Sequence, residues 1–166
     1  VLKKKLAKTL HVMADQIALA NGSNVIIQAL VNATNIRNKG RVLVLDPSFP
    51  VYALQAELFG CQVIRVPLGE NFLLAHEAVI AAIKKENPTL IFIANPNAPT
   101  GNLFAKESLY KIVKTAQCLT VIDEAYYPYS NETLIDWLGE FQHLLILRTF
   151  SKAFALAGVR LGYAIA

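Results

Sequence analysis

The 166-residue chain is 54% hydrophobic and 17% charged with a formal net charge of +4, which fits one domain with a buried core and excludes a disordered segment. No apolar run approaches the roughly 20 residues of a membrane helix, and VLKKKLAK at the start has no apolar signal core behind its lysines. The lysines are scattered rather than striped among aromatics, so the positive charge reads as solvated helix faces or an anion site, not a nucleic-acid surface.

In chain order, residues 1–14 follow an amphipathic helical pattern, and QIALA (16–20) reads as a strand. NGSN (21–24) then leads into a helix over 24–36. Ser23 and Asn24 there are ordinary N-cap types, but a helix N-terminus also offers free N–H groups and a favourable dipole to an anion such as phosphate. RVLVLD (41–46) is the second strand, and DPSFPVY (46–52) turns it into a helix over 51–59. Phe49 at that turn is either core or a flat face for a planar ring.

CQVIRV (61–66), a helix over 75–85, and TLIFIA (89–94) follow. NPNAPTG (95–101) is a proline-stiffened loop. Asn97 on it serves the turn or bonds a hydroxyl or phenolate oxygen. A helix over 106–117 precedes LTVIDE (119–124). In DEAYYPY (123–129) an acid closes an apolar strand, which is costly unless it meets a cation. The partner is an ion-pair residue or a protonated ring nitrogen, because His11, His76 and His143 are isolated and build no metal site. A short helix at 134–138 and LLILRT (144–149) lead to RTFSKAFALAGVRLGYAIA (148–166), whose last strand is 160–165. Lys152 there either snorkels outward or sits desolvated as an amine nucleophile. Ser151 and Arg160 can add a hydroxyl and a guanidinium fork to a phosphate.

Uninterrupted Val/Ile/Leu strands alternating with helices predict an α/β domain of three layers, αβα, with a mostly parallel sheet and ligands just past its carboxyl ends. Cys61 and Cys118 have no C-x-x-C spacing and read as buried thiols of a reduced compartment, so the expected location is the cytoplasm. NGSNVI lacks the G-x-G-x-x-G of a dinucleotide site. Taken together, the strand-end residues meet the needs of one cofactor, pyridoxal 5'-phosphate: a phosphate cradle, a stacking aromatic, a partner for a phenolate oxygen, a carboxylate for the ring nitrogen and a Schiff-base lysine.

In this order and spacing, NGSN, DPSFPVY, NPNAPTG, DEAYYPY and RTFSKAFALAGVRLGYAIA resemble the large domain of fold-type I, class I/II aminotransferases, most closely the histidinol-phosphate aminotransferase family. The resemblance implies that Lys152 links to the cofactor and moves the substrate α-proton. It implies Asp123 on the pyridinium nitrogen and Asn97 and Tyr126 on the phenolate oxygen. Phe49 would stack on the ring, and Ser23, Asn24, Ser151 and Arg160 would hold the phosphate. Ala98 stands where many relatives have a second asparagine, and Val25 where they often have an acid.

The implied reaction is amino transfer between L-histidinol phosphate and 2-oxoglutarate, a step of histidine synthesis, in a homodimer. A threonine-phosphate decarboxylase, an aromatic aminotransferase or an inert remnant stays as the alternative. Both ends read as interrupted, so residues 1–166 are expected to be the large domain alone, without an N-terminal arm or small C-terminal domain. Weak cofactor binding and little turnover are expected of that piece.

Overall fold

The computed structural model describes residues 1–166. Seven strands form one sheet: β1 (Ile17–Asn21), β2 (Arg41–Asp46), β3 (Gln62–Pro67), β4 (Leu90–Ala94), β5 (Leu119–Asp123), β6 (Leu144–Thr149) and β7 (Leu161–Ile165). Their order is β1-β7-β6-β5-β4-β2-β3. Only β7 runs against the others, antiparallel to both β1 and β6, while β3, β2, β4, β5 and β6 pair in parallel.

The central strands are apolar at consecutive positions because both their faces are covered. Every residue of β4 and β6 is buried. The edge strand β3 alternates instead, burying Ile64 and Val66 and exposing Arg65 between them. The covering helices are α1 (Leu2–Leu10), α2 (Ser23–Thr34), α3 (Val51–Leu58), α4 (His76–Glu86), α5 (Lys106–Thr115) and the single turn α6 (Tyr127–Ser130). On one face α2 and α3 pack Ile27, Val31, Ala53 and Ala56 against Val44, Phe92 and Val121. On the other, α1, α4 and α5 pack Ala7, Val79, Ile83, Leu109 and Ile112 against Leu43, Ile91, Ile93 and Ile122. The three expected layers are present.

The segment expected as a helix at 134–138 is a 3-10 turn, Ile135–Gly139. Five residues are too few to sustain an α-helical nucleus, and the tighter turn closes with fewer fixed residues. No helix is long and apolar enough to cross a membrane.

The connections place a crevice at the carboxyl end of the sheet. From β2 the chain leaves through α3 to β3 on one face, and from β4 it leaves through α5 to β5 on the other. Neighbouring strands whose exits diverge in this way leave space between their ends. Since β7 is reversed, its beginning lies at the same end of the sheet, with Gly162 opposite Thr149 of β6.

Candidate active site

A cavity of about 150 Å³ opens at that crevice. Five segments wall it: the start of α2 (Ser23, Asn24), the turn into α3 (Phe49, Tyr52), the loop after β4 (Pro96, Ala98), the end of β5 (Asp123, Ala125, Tyr126) and the β6–β7 connection (Thr149, Ser151, Lys152, Arg160). Eight of the nine site residues expected from the sequence meet there.

Asp123 is its most constrained charge. The residue is 4% exposed, and its two oxygens accept from different donors. The Tyr52 hydroxyl donates to Oδ2 at 2.6 Å, and the Ala125 amide donates to Oδ1 at 3.0 Å. Burial pushes the carboxyl up to about 6; the Tyr52 and Ala125 hydrogen bonds oppose the rise, Glu124 adds to it and Lys152 opposes it. A carboxylate in that condition gains from any cation that enters the cavity.

The opposite wall is built for an anion. Gly22, at φ 84°, precedes α2, and no side chain caps the helix. The first amides of the helix are therefore left for a ligand, and no acid in its first turn opposes an anion. Arg160 reaches the same corner in a left-handed conformation, φ 55°, and its guanidinium donates to Ser151 Oγ at 3.4 Å and to the Ala157 carbonyl at 3.0 Å. Two glycines permit this approach. A Cβ at Gly22 would overlap the Arg160 guanidinium, and one at Gly162 would overlap the Ser23 amide.

Between these walls Phe49 presents a half-buried ring, held edge-on by Tyr52 at 5.4 Å and 79°. Lys152 Nζ lies 5.6 Å from the centre of the Tyr126 ring and takes part in no ion pair. Of the two readings of Lys152, outward-facing or desolvated by an apolar pocket, the structure shows the first and not the second. Its side chain is exposed, and the neighbouring Phe154, Leu156 and Val159 are exposed with it, because the β6–β7 connection runs over the open rim of the sheet instead of beneath a layer.

Asn97 is the second correction. Its side chain lies outside the cavity, where the loop itself consumes its hydrogen-bonding groups. Nδ2 donates to the Pro47 carbonyl at 3.0 Å and to Thr100 Oγ1 at 2.8 Å, while Oδ1 accepts from Ser48 Oγ at 3.0 Å. Alternation along the loop turns Ala98 to the cavity instead. Of the two residues expected to meet a phenolate oxygen, only Tyr126 faces the space.

The sequence model for aminotransferase class I and II matches residues 1–166. The chain belongs to that family. It is 39% identical over 166 residues to a histidinol-phosphate aminotransferase of Thermoanaerobacter sp. (strain X514), covering 99% of this chain and 47% of that protein. The fold superposes with a TM-score of 0.90 and 28% identity on the histidinol-phosphate aminotransferase of Clostridium acetobutylicum, covering 99% of this chain and 49% of the other. It superposes with a TM-score of 0.85 and 28% identity on that of Sinorhizobium meliloti in complex with pyridoxal-5'-phosphate, covering 99% and 46%. The chain spans about half the length of the curated relatives it matches.

Three polar groups of this class I and II aminotransferase chain escape a reading by sequence. Tyr52 was visible only as part of an apolar helix face, and its contact with Asp123 spans 71 positions. Thr149, at the end of a strand, lines the cavity and accepts from the Ser151 amide at 3.1 Å. Glu124, beside Asp123, takes the ion-pair alternative. Arg148 Nη2 meets it at 2.7 Å, and both residues are buried. A buried acid beside a buried arginine at a neighbouring strand end was the available signal for that pair.

Proposed function

We propose that the protein is a pyridoxal-phosphate-dependent aminotransferase that exchanges an amino group between L-histidinol phosphate and 2-oxoglutarate. The observation that carries this reading is one cavity in which an unpaired lysine, a buried carboxylate, an aromatic face and an anion cradle converge on a common space. The residues fit the cofactor in chemical kind. A helix N-terminus with Ser151 and Arg160 suits a phosphate, Phe49 suits a ring face, and Asp123 is a buried acid lacking a cationic partner.

Each residue then has a task. Arg160, Ser151, Ser23 and Asn24 bind the phosphate and set the position of the ring. Phe49 excludes water from one ring face. Asp123 holds a proton on the ring nitrogen, which converts the cost of its own burial into an ion pair. The Tyr126 hydroxyl is the available donor to the phenolate oxygen. Lys152 Nζ anchors the cofactor and carries a proton to and from the substrate α-carbon. Bound in this place, pyridoxal 5'-phosphate supplies an electron-withdrawing ring that stabilises negative charge on the α-carbon.

Residues 1–166 serve in this reading as the cofactor-binding large domain, and the groups that choose the substrate anion are sought in the part of the relatives this chain does not match. A homodimer in the cytoplasm is the setting. Exposed Leu103 and Tyr129 beside the cavity are consistent with a covered face there, and the unpaired Cys61 and Cys118 are consistent with a reducing compartment.

The test is an absorbance titration of the protein with pyridoxal 5'-phosphate before and after borohydride, beside Lys152→Ala. A visible band is expected that borohydride removes while fixing the cofactor onto Lys152, and the variant should show neither the band nor the fixed cofactor. In a protein of the relatives' full length, histidinol phosphate should bleach the band and threonine phosphate should not. No band at any cofactor concentration would overturn the cofactor assignment, and release of CO2 from threonine phosphate with the band retained would transfer the protein to the decarboxylase alternative.

A further inference from the structure

The site leaves one buried titratable group without a task. Tyr52 is 1% exposed, and its hydroxyl donates at 2.6 Å to Asp123 Oδ2, the one hydrogen bond its side chain makes. Its ring is packed on both sides. It stacks on Phe92 of β4 at 4.7 Å and 3°, and it meets the edge of Phe49 at 5.4 Å and 79°. The phenol therefore cannot swing away from the carboxylate without unstacking from the sheet. Tyr52 thus touches both groups assigned to the cofactor ring, the one at its face and the one at its nitrogen.

The phenol is not itself an acid or base at working pH. Burial, followed by the charge of Asp123 and the hydrogen bond to it, raises the Tyr52 hydroxyl well above its ordinary value. It remains a donor throughout the physiological range. A fixed donor on one carboxylate oxygen lowers the basicity of the group and selects its rotamer. The Ala125 amide does the same for the other oxygen, but a backbone amide cannot be varied among relatives, whereas Tyr52 can.

We infer that Tyr52 is a positioning residue: it fixes the orientation and basicity of Asp123, and through Phe49 it ties the tilt of the stacking ring to that carboxylate. This rests on the pyridoxal-phosphate reading for its consequence at the ring nitrogen, though the clamp on Asp123 exists without any ligand. A less basic Asp123 leaves the proton on the ring nitrogen, and a more basic one draws it away. Tyr52 thereby sets how strongly the ring withdraws electrons, without touching the reacting atoms.

The deciding variant is Tyr52→Phe, which keeps the ring between Phe92 and Phe49 and deletes only the hydroxyl. Carboxyl 13C NMR of the cofactor-free protein, with Asp123→Asn to assign the signal, reads the Asp123 midpoint directly. Deletion of the hydroxyl should raise that midpoint by about one pH unit, the size expected for losing one hydrogen bond to a charged acceptor. The same variant, titrated with pyridoxal 5'-phosphate, should bind about tenfold more weakly and show a visible band whose pH midpoint also moves upward. Tyr52→Leu lacks both hydroxyl and ring, so its difference from Tyr52→Phe isolates the ring: it should lower stability further and loosen Phe49 without moving the Asp123 midpoint beyond the shift seen in Tyr52→Phe. An unchanged Asp123 midpoint in Tyr52→Phe overturns the inference whatever the cofactor does. A raised midpoint in a protein that binds no pyridoxal 5'-phosphate upholds the clamp and overturns the proposed function and the ring-nitrogen role together.

Discussion

Asp123 and Glu124 are adjacent in sequence, alike in charge and equally hidden, yet the sheet gives them opposite fates. Successive side chains at a strand end point to opposite faces. Asp123 turns toward the α2–α3 face and the cavity, and Glu124 toward the face covered by α1, α4 and α5. Glu124 is satisfied at every turn: Arg148 donates through Nε and Nη2 at 3.0 and 2.7 Å, Thr133 Oγ1 donates to both oxygens, and the Leu134 amide donates at 2.7 Å. The Tyr127 ring closes over the guanidinium at 3.7 Å. Asp123 has a phenol, an amide and no cation. The saturated acid ties β5 and β6 to the turn at 133–139, and the undersupplied one waits on a ligand. Completeness of hydrogen bonding, more than burial, separates a structural carboxylate from one available for chemistry.

The largest effect should come from breaking the saturated pair. Arg148→Met strands Glu124 without its cation and should cost about 3–5 kcal/mol, read by urea unfolding. A loss near zero would erase the distinction between the two acids. Asp123→Asn should behave in the reverse sense. Because Asp123 titrates at about 6 in the folded chain against about 3.9 unfolded, the folded state binds the proton more tightly. Its contribution to stability is complete below about pH 4 and is lost as pH rises through about 6. The cofactor-free wild type should therefore lose stability across that window relative to Asp123→Asn, about 3 kcal/mol by pH 7. The same variant should bind pyridoxal 5'-phosphate about 10- to 100-fold more weakly.

Smaller effects sharpen the picture of the cavity itself. Arg160→Ala should weaken pyridoxal 5'-phosphate about tenfold and leave pyridoxal, which lacks the phosphate, nearly unaffected in equilibrium binding. Lys152→Ala should change unfolding stability by less than about 0.5 kcal/mol, because the side chain is exposed and unpaired, while abolishing the borohydride-fixed label. A marked destabilisation in that variant would show that Lys152 has a structural role the geometry does not contain.

The strands of this fold could be read from their composition because continuous apolar runs have few alternatives in a sheet covered on both faces. RVLVLD and LLILRT match β2 and β6 residue for residue. Position at a strand end made Asp123 and Lys152 legible too. Direction was harder. Whether Asn97 or Ala98 faces the cavity depends on the path of a loop with two prolines, Pro96 and Pro99, which residue types do not disclose. Whether Lys152 is buried depends on what lies above the rim, a tertiary matter. Tyr52 was hidden by its own fitness for the core, since one aromatic in a helix face resembles any other until the carboxylate across the sheet is located.

The reversed direction of β7 has a consequence for how this site tolerates change in length. Elsewhere in the sheet a helix stands between one strand end and the next, so an insertion in a connection can be absorbed by a turn at the far side of the layer. Lys152 and Arg160 share a single return from β6 to β7 that carries no α-helix, only one 3-10 turn at Ala157–Val159, pinned by Thr149 opposite Gly162 at one end and by Gly162 against α2 at the other. That stretch acts as a ruler between amine and anion cradle, and one residue added or removed within it alters the reach of the ligand that fits. Of all the connections around the cavity, this is the one in which indels should be rarest.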